Sequence, residues 1–224
     1  MRNIALACCI AAVVITLFSS TNNNKETVAA AEETEETQET EATTQEESTT
    51  EHQVEEPTQS EPEKPKNVIP ILDSVPLEAE LQTWIYVYCS AADISPYLVY
   101  ALIEKESRYN PGDIADTASE YSVGLMQINK KWHTDRMARL GVTDLTNPKQ
   151  NVVVGVDYLL ELFHWREDTT LEWVLMAYNG GPSYADKKAA AGIVTNYANH
   201  IIQRSAELQK EGERYEEKIL EHLQ

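Results

Sequence analysis

Tyr100-Ala-Leu-Ile-Glu-Lys-Glu106-Ser107-Arg-Tyr-Asn110-Pro111, a polar loop, and then Tyr121-Ser-Val-Gly124-Leu-Met-Gln127-Ile-Asn129: this stretch decides how the chain is read. Leu98, Val99, Leu102 and Ile103 recur at mixed three and four spacing and predict a helix. Asn110-Pro111 cannot continue that helix, so Glu106 and Ser107 fall in its last turn, beside a loop. Gly124 is read as opening a second apolar, helical turn, with Gln127 and Asn129 two apart and pointing in different directions. Packed against the first helix, that turn would place Glu106 in a cleft walled by Leu125, Met126 and Ile128. The same Glu104, Lys105 and Glu106 also fit the solvated edge of an amphipathic helix, so the segment alone does not decide its chemistry.

Residues 1–20 hold one arginine followed by an apolar run from Ile4 to Phe18, the pattern of a signal peptide or membrane anchor. Cys8 and Cys9 lie within this run and are read as apolar filler. The third cysteine, Cys89, sits in an apolar helical stretch and is read as a small core residue rather than a reactive thiol.

Residues 21–66 are a Glu/Thr/Gln-rich linker, expected to be disordered. Between Glu32 and Glu63 there are 13 glutamates and no lysine or arginine, which accounts for 13 of the net 19 negative charges. So little apolar surface cannot offset the entropy of ordering. The acidic balance excludes nucleic acid, which needs a basic face.

Residues 67–224 are long enough for a single core and are helical in pattern almost throughout, so the class expected is mainly α. Asp73-Ser-Val-Pro76 is read as starting one helix. Ser95-Pro96 and Asn147-Pro148 each combine a capping side chain with proline at the first helical position. Thr169-x-x-Glu172 is read as a capping box, Gly192 as the end of a short helix, and Thr195 as the start of a long charged one. No alternating strand pattern is evident.

Ala177-Tyr178-Asn179-Gly180-Gly181-Pro182 ends a helix abruptly and exposes a phenol and an amide at its rim. Together with Glu106-Ser107, Gly124 to Ile128, and Tyr197 in Thr-Asn-Tyr-Ala-Asn, this order resembles the catalytic domain of soluble lytic transglycosylases, lysozyme-like enzymes that cut peptidoglycan. The resemblance covers about Leu77 to Leu208. It implies a lysozyme-like helical domain, with Glu106 as the sole catalytic acid and base. Ser107, Gln127, Asn129, Tyr178, Asn179 and Tyr197 are then substrate-binding candidates, and Tyr197 is expected to face Glu106. Gly124 follows Glu106 by 18 residues, a longer loop than the resemblance implies. The hydroxyl beside the acid therefore falls to Thr117, Ser119 or Ser122, of which Ser119 is carried as the candidate. Gln127-Ile-Asn129 is similar to members found in secretion and conjugation systems and to animal lysozymes.

The reaction implied is cleavage of the MurNAc-GlcNAc β-1,4 bond to leave a 1,6-anhydro-MurNAc end, with no cofactor. The expected partners are peptidoglycan glycan strands, and secretion or conjugation machinery follows from the Gln-Ile-Asn likeness. Membrane contact is expected through the N-terminal segment only, and the location is extracytoplasmic. A hydrolytic muramidase using Asp113, Asp116 or Glu120 as second carboxylate remains an alternative, as do a non-catalytic wall-binding module and an adaptor built on Glu207 to Gln224. His52, His133, His164, His200 and His222 show no ligand spacing, so no metal site is expected. Trp84, Trp132, Trp165 and Trp173 are read as core members of apolar faces, although such rings also stack on sugars.

Overall fold

The computed structural model describes residues 68–117 and 121–222. The signal and linker expectations, Ser119 and Glu120 lie outside the described residues. Seven helices are present among them: α1 (Ala79–Ala91), α2 (Pro96–Ser107), α3 (Thr134–Leu140), α4 (Pro148–Phe163), α5 (Leu171–Gly180), α6 (Pro182–Ala190) and α7 (Asn196–His222). The domain is mainly α.

The centre is α2, buried from Pro96 to Ile103 and packed between α1 and α7. Ser95 caps it by accepting from the Leu98 amide, and Pro96 follows at the first helical position, so helix and cap coincide where the sequence put them. Tyr100 is wholly buried because its hydroxyl has a partner, donating to the Gln82 carbonyl at 2.7 Å. α4 lies against α1, α3 and α5, presenting Val152, Val153, Val156, Leu159 and Leu162 to one continuous core. α7 runs across α2 and approaches Tyr97 so closely that any side chain at Gly212 would overlap its ring.

Three local expectations are corrected. Asp73 to Leu77 is a turn and α1 begins only at Ala79, because buried Gln82 gathers the preceding segment. Its amide accepts from the Leu72 N–H at 2.9 Å and donates to the Val75 and Leu77 carbonyls at 2.9 and 3.0 Å. The cap of α5 is Thr170, which accepts from the Trp173 amide, while Thr169 closes its own turn onto the Arg166 carbonyl. Strands, third, are present: β1 (Ile114–Asp116), β2 (Tyr121–Val123) and β3 (Ile128–Asn129) form an antiparallel sheet. Ser122 pairs with Ala115 on one side and Asn129 on the other. Strands of two or three residues are too short to display a period, which is why alternation did not reveal them.

The tryptophans divide. Trp173 is core, but Trp132 is 74% exposed and Trp165 is 49% exposed, against the expectation that both would be buried. Trp165 stacks on Trp173 at the surface, and Trp84, partly buried, stacks on Tyr88. Cys89 is wholly buried, and desolvation pushes its thiol up, so it packs rather than reacts.

Candidate active site

The chain reverses sharply after Glu106. Ser107 ends α2, and Arg108 and Tyr109 both take left-handed backbone angles, φ 50° and 64°, without being glycine. Such residues cost about 1–2 kcal/mol each and persist only when surroundings enforce them. Here the Tyr109 ring is buried and its hydroxyl donates to Glu104 at 3.1 Å, while the Asn110 amide returns to the Ser107 carbonyl. The Glu106 carboxyl is thereby left at an open helix end.

The stretch from Gly124 to Gln127 is a turn joining β2 to β3, not the helical turn expected. Gly124 has φ 81°, and a side chain there would overlap the Leu145 carbonyl and the Asn151 amide. Leu125, Met126 and Ile128 are at most 1% exposed; they belong to the core and do not form the open wall expected of them. Fastenings from three helices hold this turn. Ser107 on α2 donates to the Leu125 carbonyl at 2.8 Å, and Tyr178 on α5 donates to the Met126 carbonyl at 2.8 Å. Asn151 on α4, wholly buried, accepts from the Met126 amide at 2.8 Å and donates to the Val123 and Leu145 carbonyls at 2.8 and 2.9 Å. One turn further along α4, Gly155 leaves space that Met126 fills, since any side chain at 155 would overlap its thioether.

Tyr197, at the start of α7, donates its hydroxyl to Oε1 of Glu106. Burial is the largest influence on Glu106 and pushes its carboxyl up to about 7; the Tyr197 hydrogen bond and the nearby Lys105 ammonium act the other way. No carboxylate of the described residues adds to the rise. Burial and the Glu106 charge raise both Tyr178 and Tyr197, so the two phenols stay protonated and act as donors.

The structure thus gathers Glu106, Ser107, Gln127, Tyr178 and Tyr197 around one turn and one helix end. Ser107 is buried and spends its hydroxyl on the turn. Gln127, with φ 47°, folds its amide N–H groups onto the Asp113 and Gly124 carbonyls at 3.1 and 3.0 Å. Asn129 turns its side-chain oxygen to the Lys131 amide, so it shapes the loop that follows. Asn179 is exposed in the last turn of α5. Ser122 lies in β2, half-buried, and Thr117 is exposed just beyond β1. Asp116 is exposed on β1, and Asp113 meets the site through its backbone carbonyl.

Sequence reasoning missed Asn151 and the Glu104–Arg204 pair, 2.7 Å apart, that joins α2 to α7. A lone amide within an otherwise apolar helix was the available signal for the first, because a buried amide must find partners. Among the described residues no His, Cys, Asp and Glu side chains gather into a group able to hold a metal ion, and no helix is long and apolar enough to cross a membrane.

Comparison with known proteins addresses the same segment. The chain is 31% identical over 128 residues to invasion protein IagB of Salmonella typhi, covering 51% of this chain and 74% of that protein. The Salmonella typhimurium protein of that name (strain SL1344) is 30% identical over 118 residues, covering 47% of this chain and 69% of its own. Two solved structures also match: the 70 kDa soluble lytic transglycosylase SLT70 from Escherichia coli, at TM-score 0.46 and 20% identity over 59% of this chain, and an inactive mutant of lytic transglycosylase Slt from Pseudomonas aeruginosa, at 0.48 and 15% over 58%. This chain spans 24% of each of those longer proteins. The family model described as the transglycosylase SLT domain matches residues 85–199, a span that contains Glu106, the turn it abuts, Tyr178 and Tyr197, and the chain belongs to that family.

Proposed function

We propose that the domain is a peptidoglycan lytic transglycosylase in which Glu106 acts first as acid and then as base. The observation that carries this reading is a half-buried carboxyl on which no other carboxylate of the described residues acts, whose pKa is pushed up to about 7 and which takes a hydrogen bond from Tyr197. At neutral pH roughly half of such groups hold their proton, which suits donation to a glycosidic oxygen.

The proton passes from Glu106 to the oxygen linking MurNAc to GlcNAc, and that C–O bond breaks to leave an oxocarbenium-like carbon on MurNAc. The Glu106 carboxylate, now charged and stabilised by Tyr197, takes the proton from the C6 hydroxyl of the same MurNAc. That oxygen bonds to the anomeric carbon, closing a 1,6-anhydro ring, and Glu106 is returned to its protonated state with no water consumed. Gln127, Asn129, Tyr178 and Asn179, with Ser119, are assigned to holding the strand, and Ser107 to holding the turn. The substrate places the reaction outside the cytoplasm. The resemblance of Gln127-Ile-Asn129 to members found in secretion and conjugation systems supports work beside such an apparatus.

Digestion of purified sacculi with mass analysis of the products tests the reading. Anhydro ends from the wild type and none from Glu106→Gln are expected. Reducing ends would assign a hydrolytic muramidase, and intact sacculi with bound protein a wall-binding module.

A further inference from the structure

Glu104 takes no part in the proposed reaction, yet two bonds converge on one of its oxygens. Its Oε2 accepts from the Tyr109 hydroxyl at 3.1 Å and from Arg204 Nε at 2.7 Å. Tyr109 belongs to the left-handed reversal that follows Glu106, and Arg204 stands on α7 about two turns beyond Tyr197. One carboxylate therefore holds both the helix end that carries the acid and the helix that carries its hydrogen-bond donor.

On the α2 side Glu104 works twice. Its carbonyl accepts from the Arg108 amide at 3.0 Å, closing the last turn, and its side chain then fastens Tyr109 in a backbone conformation that is unfavourable without such a partner. Burial, followed by the Glu104 charge, raises the Tyr109 phenol, so it stays protonated and donates. On the α7 side, buried Ile201 and Leu208 keep the helix on the core, but apolar contact has no direction. A charge-assisted hydrogen bond does. Arg204 is itself steadied by Glu207 at 3.2 Å and by the Ser74 hydroxyl at 3.3 Å. Between α2 and α7 there are thus two polar clasps, Glu104 to Arg204 and Glu106 to Tyr197. One alone would let the helices pivot about it; two set their angle.

We propose that Glu104 is a positioning residue: by clasping Tyr109 and Arg204 together it fixes the end of α2 against α7, so that the Tyr197 hydroxyl is aimed at Glu106. What the aimed pair does rests on the glycan-cleaving reading. The influences on the Glu106 carboxyl are burial, Tyr197 of α7 and Lys105 of α2, while Tyr178 of α5 feels its charge; Glu104, Tyr109 and Arg204 are not among them. A substitution at those three therefore reaches the acid by shifting it or its partner, not through their own charge.

The test follows the Glu106 carboxyl by NMR titration of the full chain, isotope-labelled at glutamate, with the signal assigned by its loss in Glu106→Gln. Tyr109→Phe removes one hydroxyl; Arg204→Lys keeps the charge and loses the guanidinium geometry. Each should raise the Glu106 pKa by about half a unit, because the bond that lowers it is misaimed, and slow fragment release from sacculi at neutral pH about three-fold. In a Tyr197→Phe background neither should raise the pKa further. An unmoved pKa in both variants overturns the proposal, whatever happens to Tm, and leaves a pair that only stabilises. A shift that persists undiminished without the Tyr197 hydroxyl overturns it too. Sacculi left intact by the wild type would take down the cleavage reading alone, with the titration still deciding the positioning.

Discussion

The Tyr197 hydroxyl donates to Oε1 of Glu106 and is the only side chain from α7 that bears on that carboxyl's titration. The bond favours the charged form and so holds the pKa below where burial alone would set it. In Tyr197→Phe the pKa should rise, and the alkaline limb of kcat/KM, set by loss of the acid's proton, should move to higher pH by about one unit. Turnover at neutral pH should drop about ten-fold as the charged intermediate loses its partner. An unmoved limb in a pH–rate profile would separate Tyr197 from the acid.

Glu106 binds its proton more tightly in the folded protein, with a pKa of about 7, than at its ordinary 4.5. The folded state therefore holds more protons between those values, and stability falls as pH rises through that window. Below about pH 4.5 the carboxyl is neutral in both states and the effect vanishes. Glu106→Gln removes the charge, so urea unfolding at pH 8 should show a variant about 1–3 kcal/mol more stable than the wild type, with little difference at pH 4.

Arg204 Nε meets Glu104 at 2.7 Å, and Arg204 also reaches Glu207 and the Ser74 hydroxyl, at 3.2 and 3.3 Å. Ser74 in turn donates to both oxygens of Glu211. The pair is only 20% and 31% exposed, so it is screened less than a surface pair. Arg204→Met should cost about 1–3 kcal/mol, and a double-mutant cycle with Glu104→Gln should return a coupling of about 1 kcal/mol. Additivity within error would mean the two side chains touch without consequence.

Asn151 satisfies one amide and two carbonyls in the core. Asn151→Ala orphans all three, and each unmet buried group costs about 1–3 kcal/mol. Asn151→Asp keeps the shape and loses both donations. Both variants should melt several degrees lower, and lytic activity measured well below their midpoints should still be depressed, because the turn beside Glu106 loses its anchor to α4.

Much of the helical plan was legible because it is written in single residues with fixed backbone preferences. Ser95-Pro96 and Asn147-Pro148 each cap a helix by accepting the amide three residues on, and Gly181, at φ 83°, stops α5 where the glycine pair stood. The meeting of Glu106 with Tyr197 could be expected from a resemblance, but not from spacing alone, since 91 residues separate them. What was not legible is what depends on partners distant in sequence. The three short strands have no period of their own and exist through each other. Leu125, Met126 and Ile128 are read from the sequence as cleft wall, and the arrival of α4 and α5 makes them core instead. Trp132 looked like its neighbours on apolar faces until the Asn129 turn carried it outward.

Gly155 and Met126 share one volume, the first empty so that the second can fill it. Descendants of this sequence are therefore not free to vary the two positions independently. A lineage that acquires alanine at 155 has to move or shrink the side chain at 126 in company with it, and chimeras that take α4 from one relative and the β2–β3 turn from another should lose stability whenever both positions arrive bulky.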